Sequence, residues 1–371
     1  MRRLLGTQRT DGEEGEDREQ GSHRHSVAAQ PTTAYDVAAR SPVTNLDPNQ
    51  PLGVAFLGAG DVSELHAAAV RSCAGAALRG VWHLDPEQGA AKAARYGCRS
   101  YGSADEALAA PDVQCVSVLT NLETHRQYAE LAMRAGKHVL VEKPAGASLD
   151  EVASMQRAAE QHGVQCVPVH NYVYEPALER TRALLDRGDL GELVSVHVLY
   201  NIHHPETVAA RYPGVIRQIM THHAYVLLYL AGVPVSVAGM KATINDGSVR
   251  QENLAVATLQ LHGGAIAHLQ ASFAADDHAG DPWTFLVKVI GTKGATRFSY
   301  RDWVQNQKAQ VHSHTFSAYP FHLERTVHHF LDRCVRRGEA PLSSMQDAYD
   351  AQRIIEAVEA SIREQRILPL S

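Results

Sequence analysis

Gly58-Ala59-Gly60 stands directly after the apolar run Leu52–Leu57 and directly before a helical stretch that opens at Val62. In that setting a Gly-x-Gly pair is a dinucleotide fingerprint. The first glycine permits the tight turn. The second lets the backbone approach a pyrophosphate, which then lies on the helix N-terminus beside Asp61 and Val62. A plain strand-to-helix turn is the competing reading. Position 63 is Ser rather than Gly or Ala, which predicts slightly looser helix–strand packing. The end of the next strand should read the ribose: an acid there accepts the 2′-hydroxyl of NAD, and its absence leaves room for the 2′-phosphate of NADP. The residues are Trp82-His83-Leu84-Asp85, and Asp85-Pro86-Glu87 has the pattern of a helix N-cap and first turn. His83 is therefore expected at the ribose, with Asp85 as the alternative, and the cofactor is NAD or NADP. Lys143 follows a further apolar strand, and Pro144 excludes it from the helical region. A lysine at such a strand exit can donate a hydrogen bond to a substrate hydroxyl or shuttle its proton if its pKa falls. A snorkelling surface lysine is the plainer alternative.

Other histidines carry less. His203 and His204 lie in the charged segment 201–217, a suitable place for a substrate loop. His312 and His314 can share one strand face, but no third ligand follows at a recognisable spacing, so no metal is expected. The same holds for His23 and His25, and His328-His329 reads as a solvated or interface feature.

The elements that must hold these residues alternate. Leu52–Leu57, Ala77–Trp82, Val113–Leu119, Lys137–Val141 and Val164–Val169 read as buried strands. Helical stretches over Pro86–Gly97, Thr124–Ala135 and Asp150–His162 separate them. That is the signature of βαβ units, a parallel sheet with helices on both faces. After Asn171 the pattern changes. A helix at Ile216–Leu230 is followed by strand-like runs at Val235–Ile244, Leu254–Leu261, Ala265–Phe273, Phe285–Ile290 and Ala295–Tyr300, joined by Gly-Gly and Gly-Thr-Lys-Gly turns. The expected fold class is α/β: an N-terminal Rossmann parallel sheet, then an α+β domain with a largely antiparallel open sheet. The expected division is a disordered tail over 1–50, a cofactor domain over 51–171 and a substrate and oligomerisation domain over 172–371. Only six of the first fifty residues are Leu, Ile, Val or Phe, too few to offset the entropy of ordering. An open sheet face calls for a partner, so a homodimer or homotetramer through that sheet is expected.

Composition narrows the class. The 371 residues carry a net charge of −6, which offers no general attraction to nucleic acid or to an anionic membrane surface. No apolar stretch approaches the length of a membrane span. Five scattered cysteines without a CxxC pair argue against a disulfide framework and for a reducing, cytoplasmic setting.

The run Ala135-Gly-Lys-His-Val-Leu-Val-Glu-Lys-Pro144 resembles the signature of the Gfo/Idh/MocA oxidoreductases, the glucose–fructose oxidoreductase and inositol dehydrogenase family. The opening Gly58 to His66, the stretches Thr120 to His125 and Asn171 to Pro176, and the turns Gly188-Asp-Leu-Gly191 and Gly291-Thr-Lys-Gly294 are similar too. The resemblance implies NAD(P) and hydride transfer at a secondary alcohol of a sugar, amino-sugar or cyclitol. It extends the cofactor site to Thr120, Asn121, His125, Glu142, Lys143 and Asn171, and makes Lys143 catalytic. It also implies a second catalytic element, a helix carrying Asp-x-x-x-His. The matching stretch is Gln218-Ile-Met-Thr-His222, an i, i+4 pair in which His222 can serve as base and Gln218 replaces the acid. Gln can orient a group but cannot stabilise an imidazolium by charge. Tyr172 and Val173 stand where the family often has arginine after Asn171, which fits a neutral substrate. Tyr172 or Tyr174 can bond a sugar hydroxyl or pack at the domain junction. Two other functions fit the same scaffold: glycoside cleavage through transient oxidation by bound NAD, and non-catalytic NAD(P) sensing.

Overall fold

The computed structural model describes residues 50–204, 206–244, 250–275, 283–299, 303–306, 309–312 and 319–370. The tail expected over 1–50, with His23 and His25, falls outside them but for Gln50, as does His314. The first sheet holds β1 (Leu52–Leu57), β2 (Ala76–Trp82), β3 (Arg99–Ser100), β4 (Cys115–Val118), β5 (His138–Val141) and β6 (Cys166–Pro168). They run in the order β3-β2-β1-β4-β5-β6, all parallel. The order reverses between β1 and β4, the point at which open parallel sheets bind ligands. The connecting helices are α1 (Ser63–Ser72), α2 (Pro86–Tyr96), α3 (Ala104–Ala109), α4 (Leu122–Arg134) and α5 (Leu149–His162). Asp85 caps α2 by accepting from the amides of Glu87 and Gln88, and Gly97 ends it in the left-handed region.

Successive strand side chains leave opposite faces, so each strand feeds two cores. Ala55, Leu57, Val116, Val118, Val139 and Val141 pack with Met133 of α4 and Val152 and Met155 of α5. Val54, Phe56, Val81, Leu140 and Val167 pack on the other face with Ala67 and Val70 of α1.

The second sheet contains β7 (Leu193–Asn201), β8 (Ser236–Ala242), β9 (Leu254–Gln260), β10 (Ile266–Ser272), β11 (Thr284–Gly291) and β12 (Ala295–Ser299). A separate hairpin pairs β13 (Trp303–Asn306) with β14 (Ala309–His312), and β15 (Leu368–Pro369) closes the sheet edge in the order β12-β11-β7-β10-β9-β8-β15. Its pairings are antiparallel except β7 with β10, which are parallel. Helices α6 (Pro176–Asp186), α7 (Glu206–Ala209) and α8 (Thr221–Ala231) precede or interrupt these strands. One face is buried: Val196, Val198, Ala257, Leu259, Ala267 and Leu269 pack against α8 and the C-terminal helix. Among the described residues the other face carries no helix, and Val256, Ile266 and Met240 stand exposed on it.

The last two helices depart from a simple division at residue 172. Helix α9 (Tyr319–His328) and the π-helical turns His329–Val335 send Leu323, Val327, Phe330 and Leu331 into the core of the first sheet, not the second. The connections within 51–171 leave that face short of cover, and the returning chain completes it. In the His328-His329 pair, expected as a solvated or interface feature, His328 Nε2 lies 3.0 Å from the Ala69 carbonyl and 3.0 Å from Ser72 Oγ, docking α9 on α1. Helix α10 (Met345–Glu364) then spans both layers, with Met345 and Ala348 on the first and Ile354, Ile355 and Val358 on the second. Phe330→Ala should cost about 3–5 kcal/mol of stability, as for a large aromatic removed from a closed core. Urea unfolding followed by circular dichroism measures this; an unchanged midpoint would show that α9 is only peripheral cover.

Candidate active site

Five strand exits of the first sheet lie side by side because the parallel ladders, past a register shift between Val54 and Ala55, run together to the carboxyl end. Gly58 N–H donates to Trp82 O (2.9 Å), Leu119 to Leu57 O (2.7 Å), Glu142 to Val118 O (3.1 Å) and Val169 to Val141 O (2.8 Å). The residues expected at a cofactor therefore converge: Gly58, His83, Thr120, Lys143 and Asn171 each follow one strand directly or within a few residues.

Gly58 has φ +92°, and a Cβ there would fall 2.6 Å from the Leu119 carbonyl, so only glycine lets β1 turn beside β4. A Cβ on Gly60 would meet nothing within 4 Å, which leaves the space above the loop open. Helix α1 begins there with no side-chain cap; Ser63 N–H donates to Gly60 O (3.0 Å) and Leu65 N–H to Val62 O (3.1 Å), which leaves the amide of Glu64 to face an anion. Ser63 corrects the expectation of looser packing. It is fully buried, its hydroxyl donates to Gly60 O (2.6 Å), and Tyr96 of α2 completes the pair at 2.8 Å. The hydroxyl locks the loop.

Several expected cofactor residues are committed to protein partners. Asp85 spends its carboxylate on the cap of α2 and on Gln88 Nε2 (2.7 Å). Its amide donates to His83 Nδ1 at 3.0 Å. Buried His125 sets its two ring nitrogens on Thr120 O (3.0 Å) and Pro144 O (2.9 Å), bracing the exits of β4 and β5. Asn121 sits at the N-cap of α4 without a side-chain cap bond. Glu142 turns to His66 Nε2 (3.0 Å) and to the Lys143 amide (3.0 Å).

Lys143 is half-buried, and the peptide bond to Pro144 is cis. Its ammonium crosses to the second domain and donates to the backbone carbonyl of Gln218 at 3.1 Å. That carbonyl belongs to a π-helical turn, Ile216–Met220, which opens the helix expected over 216–230 and leads into α8. A π turn displaces the regular helical ladder and is a frequent mark of functional sites. Gln218 thus serves through its backbone. The turn is held by Arg217, whose guanidinium grips Glu359 of α10 with two bonds of 2.7 Å. Gly214 admits Glu252 behind it: a Cβ there would lie 2.2 Å from the Glu252 carboxylate, which accepts from the Ile216 amide.

His222 is buried at the start of α8. Its Nδ1 lies 2.6 Å from the hydroxyl of Tyr225, which donates to Asn171 Oδ1 at 3.1 Å. Tyr172 packs its ring against Phe285 (4.2 Å) and edge-on to His222 (5.0 Å), with its hydroxyl 3.4 Å from that of Tyr200. Tyr174 points elsewhere, to His329 at 5.2 Å, and is a packing residue of the junction. Buried Glu175 and His322 bond each other and pin α9 beside this segment. Tyr225, Tyr200, His170 and His66 were not singled out by the sequence. Only Tyr225 carries a local signal, its i, i+3 spacing from His222.

Electrostatics follow from burial. Desolvation lowers the pKa of Lys143, opposed by the Glu142 charge. Desolvation, then the Lys143 charge, holds His222 well below its ordinary value and His170 at about 3. Burial alone takes His223 to about 3. Glu142 is opposed by burial, but the His66 bond and the neighbouring Lys143 leave it below the usual carboxylate range. The residues fit a dinucleotide on two observations: the open cradle at Gly60 before α1, which has no side-chain cap, and Thr120 Oγ1 and Asn171 Nδ2 at the exits of β4 and β6, buried and without a hydrogen-bond partner among the described residues. Among the described residues, no group of three or more His, Cys, Asp or Glu side chains is placed to share a metal ion.

A doubly wound parallel sheet with this glycine loop, joined to an open mixed sheet, defines a Rossmann-type nucleotide-binding protein with a separate C-terminal domain. Residues 52–170 match the model described as an oxidoreductase family with NAD-binding Rossmann fold, and 178–297 match the GFO/IDH/MocA C-terminal domain. The chain belongs to the Gfo/Idh/MocA family. It is 25% identical over 338 residues to D-apiose dehydrogenase of Paraburkholderia graminis, covering 85% of this chain and 89% of that one. It is 28% identical over 246 residues to inositol 2-dehydrogenase of Rhizobium meliloti, covering 65% and 73%. The crystal structure of a putative myo-inositol dehydrogenase from Sinorhizobium meliloti superposes with TM-score 0.76 at 24% identity, covering 86% of this chain and all of that one.

Because the folded pKa of Glu142 is depressed, its charge stabilises the fold above the unfolded value and that contribution is lost as pH falls through the folded one. Glu142→Gln should therefore melt lower than the native protein above about pH 5, with the gap closing in more acid solution. Melting curves across pH read this; a gap that does not depend on pH would remove the charge from the account.

Proposed function

We propose that this protein is an NAD(P)-dependent oxidoreductase that moves hydride between the nicotinamide and a secondary alcohol or ketone of a neutral sugar, amino-sugar or cyclitol. One observation carries the reading: the Lys143 ammonium bonds the Gln218 carbonyl at 3.1 Å, one helical turn before His222, at the carboxyl end of the sheet that holds the glycine loop. Gly58, Gly60, Asp61 and Val62 would hold the pyrophosphate, His83 the ribose, and Thr120, Lys143 and Asn171 the nicotinamide end. The bound dinucleotide supplies the hydride chemistry. Lys143 donates to the substrate oxygen and polarises it. His222, kept neutral by burial, has no hydrogen-bond partner at Nε2 among the described residues and can take the hydroxyl proton there. Tyr172 forms the wall behind His222. Arg217 is bound to Glu359, which leaves it unsuited to reading a substrate carboxylate or phosphate. The dehydrogenase names of the D-apiose and inositol relatives support the same substrate class.

Purified protein is mixed with NAD+ or NADP+ and a panel holding myo-inositol, D-apiose, D-glucose and an amino-sugar, and the near-ultraviolet absorbance of reduced nicotinamide is followed. Turnover is expected with at least one polyol, and Lys143→Ala should lower it by about 10²-fold or more. Tight cofactor binding without turnover on any polyol would favour glycoside cleavage or sensing instead.

We further infer that the face of the second sheet opposite α8 and α10 pairs with a second copy of the chain. Val256, Ile266 and Met240 are 37%, 42% and 73% exposed on it, around the stacked rings of His197 and His268. Light scattering should give a dimer or tetramer, and Ile266→Glu should shift the mass towards the monomer. A monomeric native protein would overturn the inference.

A further inference from the structure

Gln218 stands where the resemblance places an acid, so His222 has no carboxylate at i−4 to orient it. Its Nδ1 nevertheless has a partner, the Tyr225 hydroxyl at 2.6 Å. That oxygen has two further neighbours. It donates to Asn171 Oδ1 at 3.1 Å, and the Tyr172 amide points at it from 3.4 Å. His170 stacks on the phenol ring at 4.2 Å and 12°, which holds the ring in place. Burial keeps the phenol protonated far above neutral pH.

A phenol has a single proton to give. Here it goes to Asn171, so the oxygen can only accept from His222. Nδ1 must then carry the imidazole hydrogen. A neutral imidazole has one such hydrogen, so Nε2 is left with a lone pair. We propose that Tyr225, braced by Asn171, fixes His222 in the Nδ1–H tautomer and so presents Nε2 as the basic nitrogen. Tyr225 and Asn171 are positioning residues, a neutral substitute for the missing acid. The proposal rests on the reading of His222 as the base, but the tautomer exists whether or not a polyol is turned over. Once Nε2 has taken a proton, the imidazolium keeps its Nδ1–H bond to Tyr225, and no proton need pass along the chain.

The test is a long-range proton–nitrogen NMR correlation on the full chain labelled with ¹⁵N-histidine, without substrate, at mildly alkaline pH. The His222 signals are identified by their loss in His222→Gln. The native protein should show a protonated Nδ1 and an unprotonated Nε2. Tyr225→Phe, checked for folding by its thermal melt, should move His222 towards the Nε2–H form. Asn171→Leu should do the same in part, because the phenol proton is then free to turn to Nδ1. A native His222 already in the Nε2–H form would overturn the proposal, since the Asn171 amide must then be reversed and the chain must run the other way. So would a folded Tyr225→Phe protein whose tautomer is unchanged. If Tyr225→Phe does not fold, the native spectrum still decides. The expected tautomer together with no turnover on the polyol panel would count against the proposed function and leave this assignment standing.

Discussion

The ammonium of Lys143 crosses from one sheet to the other and is partly withdrawn from water, and much of the surrounding structure follows from that. A desolvated cation is costly unless it is hydrogen-bonded and offset by charge. The offset comes from Glu142, the preceding residue, itself kept ionised by His66 and by the Lys143 amide. The hydrogen bond comes from the other domain, through the Gln218 carbonyl. The carbonyl is placed by a π turn, and the turn by Gly214, Glu252, Arg217 and Glu359. One contact thus ties the β5 exit to α8 and, through Glu359, to α10.

The same charge shapes its neighbours. Burial, and after it this cation, disfavours protonation of the neighbouring imidazoles, and His222 and His170 are both held neutral. Neutral imidazoles among phenols can be ordered by hydrogen bonds alone. His222, Tyr225 and Asn171 form such a chain, and Tyr172, Tyr200 and Phe285 pack around it. The proposed chemistry at a hydroxyl group would draw on this arrangement, with Lys143 as the cation near the oxygen and His222 as the neutral base beside it.

Parts of this were legible in the chain because they are local. The runs at β1, β4 and β5 are apolar because a parallel strand is covered on both faces. Gly58 is needed because the turn passes within contact distance of β4. Asp85-Pro86-Glu87 reads as an N-cap, and Asp85 is one. The small elements β3, α3 and β15 were not anticipated, since two to six residues carry too little hydrophobic period to register. Ser63 was read as a packing compromise because its partner, Tyr96, lies on another helix.

The sequence by itself determined the order of strands and helices, the glycine turn, the family signature around Lys143 and the helix that carries His222. These follow from periodicity, from backbone conformations open only to glycine, and from short motifs, all of which act between near neighbours. Tertiary structure decided the rest. It placed α9 on the first sheet, because only the folded chain shows which face lacks cover. It turned Gln218 from a questionable side chain into a backbone acceptor, because a π turn is a departure from helical period that no residue type announces. It gave His222 its partners from α8 and from the segment after β6, residues 54 apart in the chain for Tyr225 and Asn171. A hydrogen bond needs distance and direction, and sequence spacing supplies neither once the chain has left the helix.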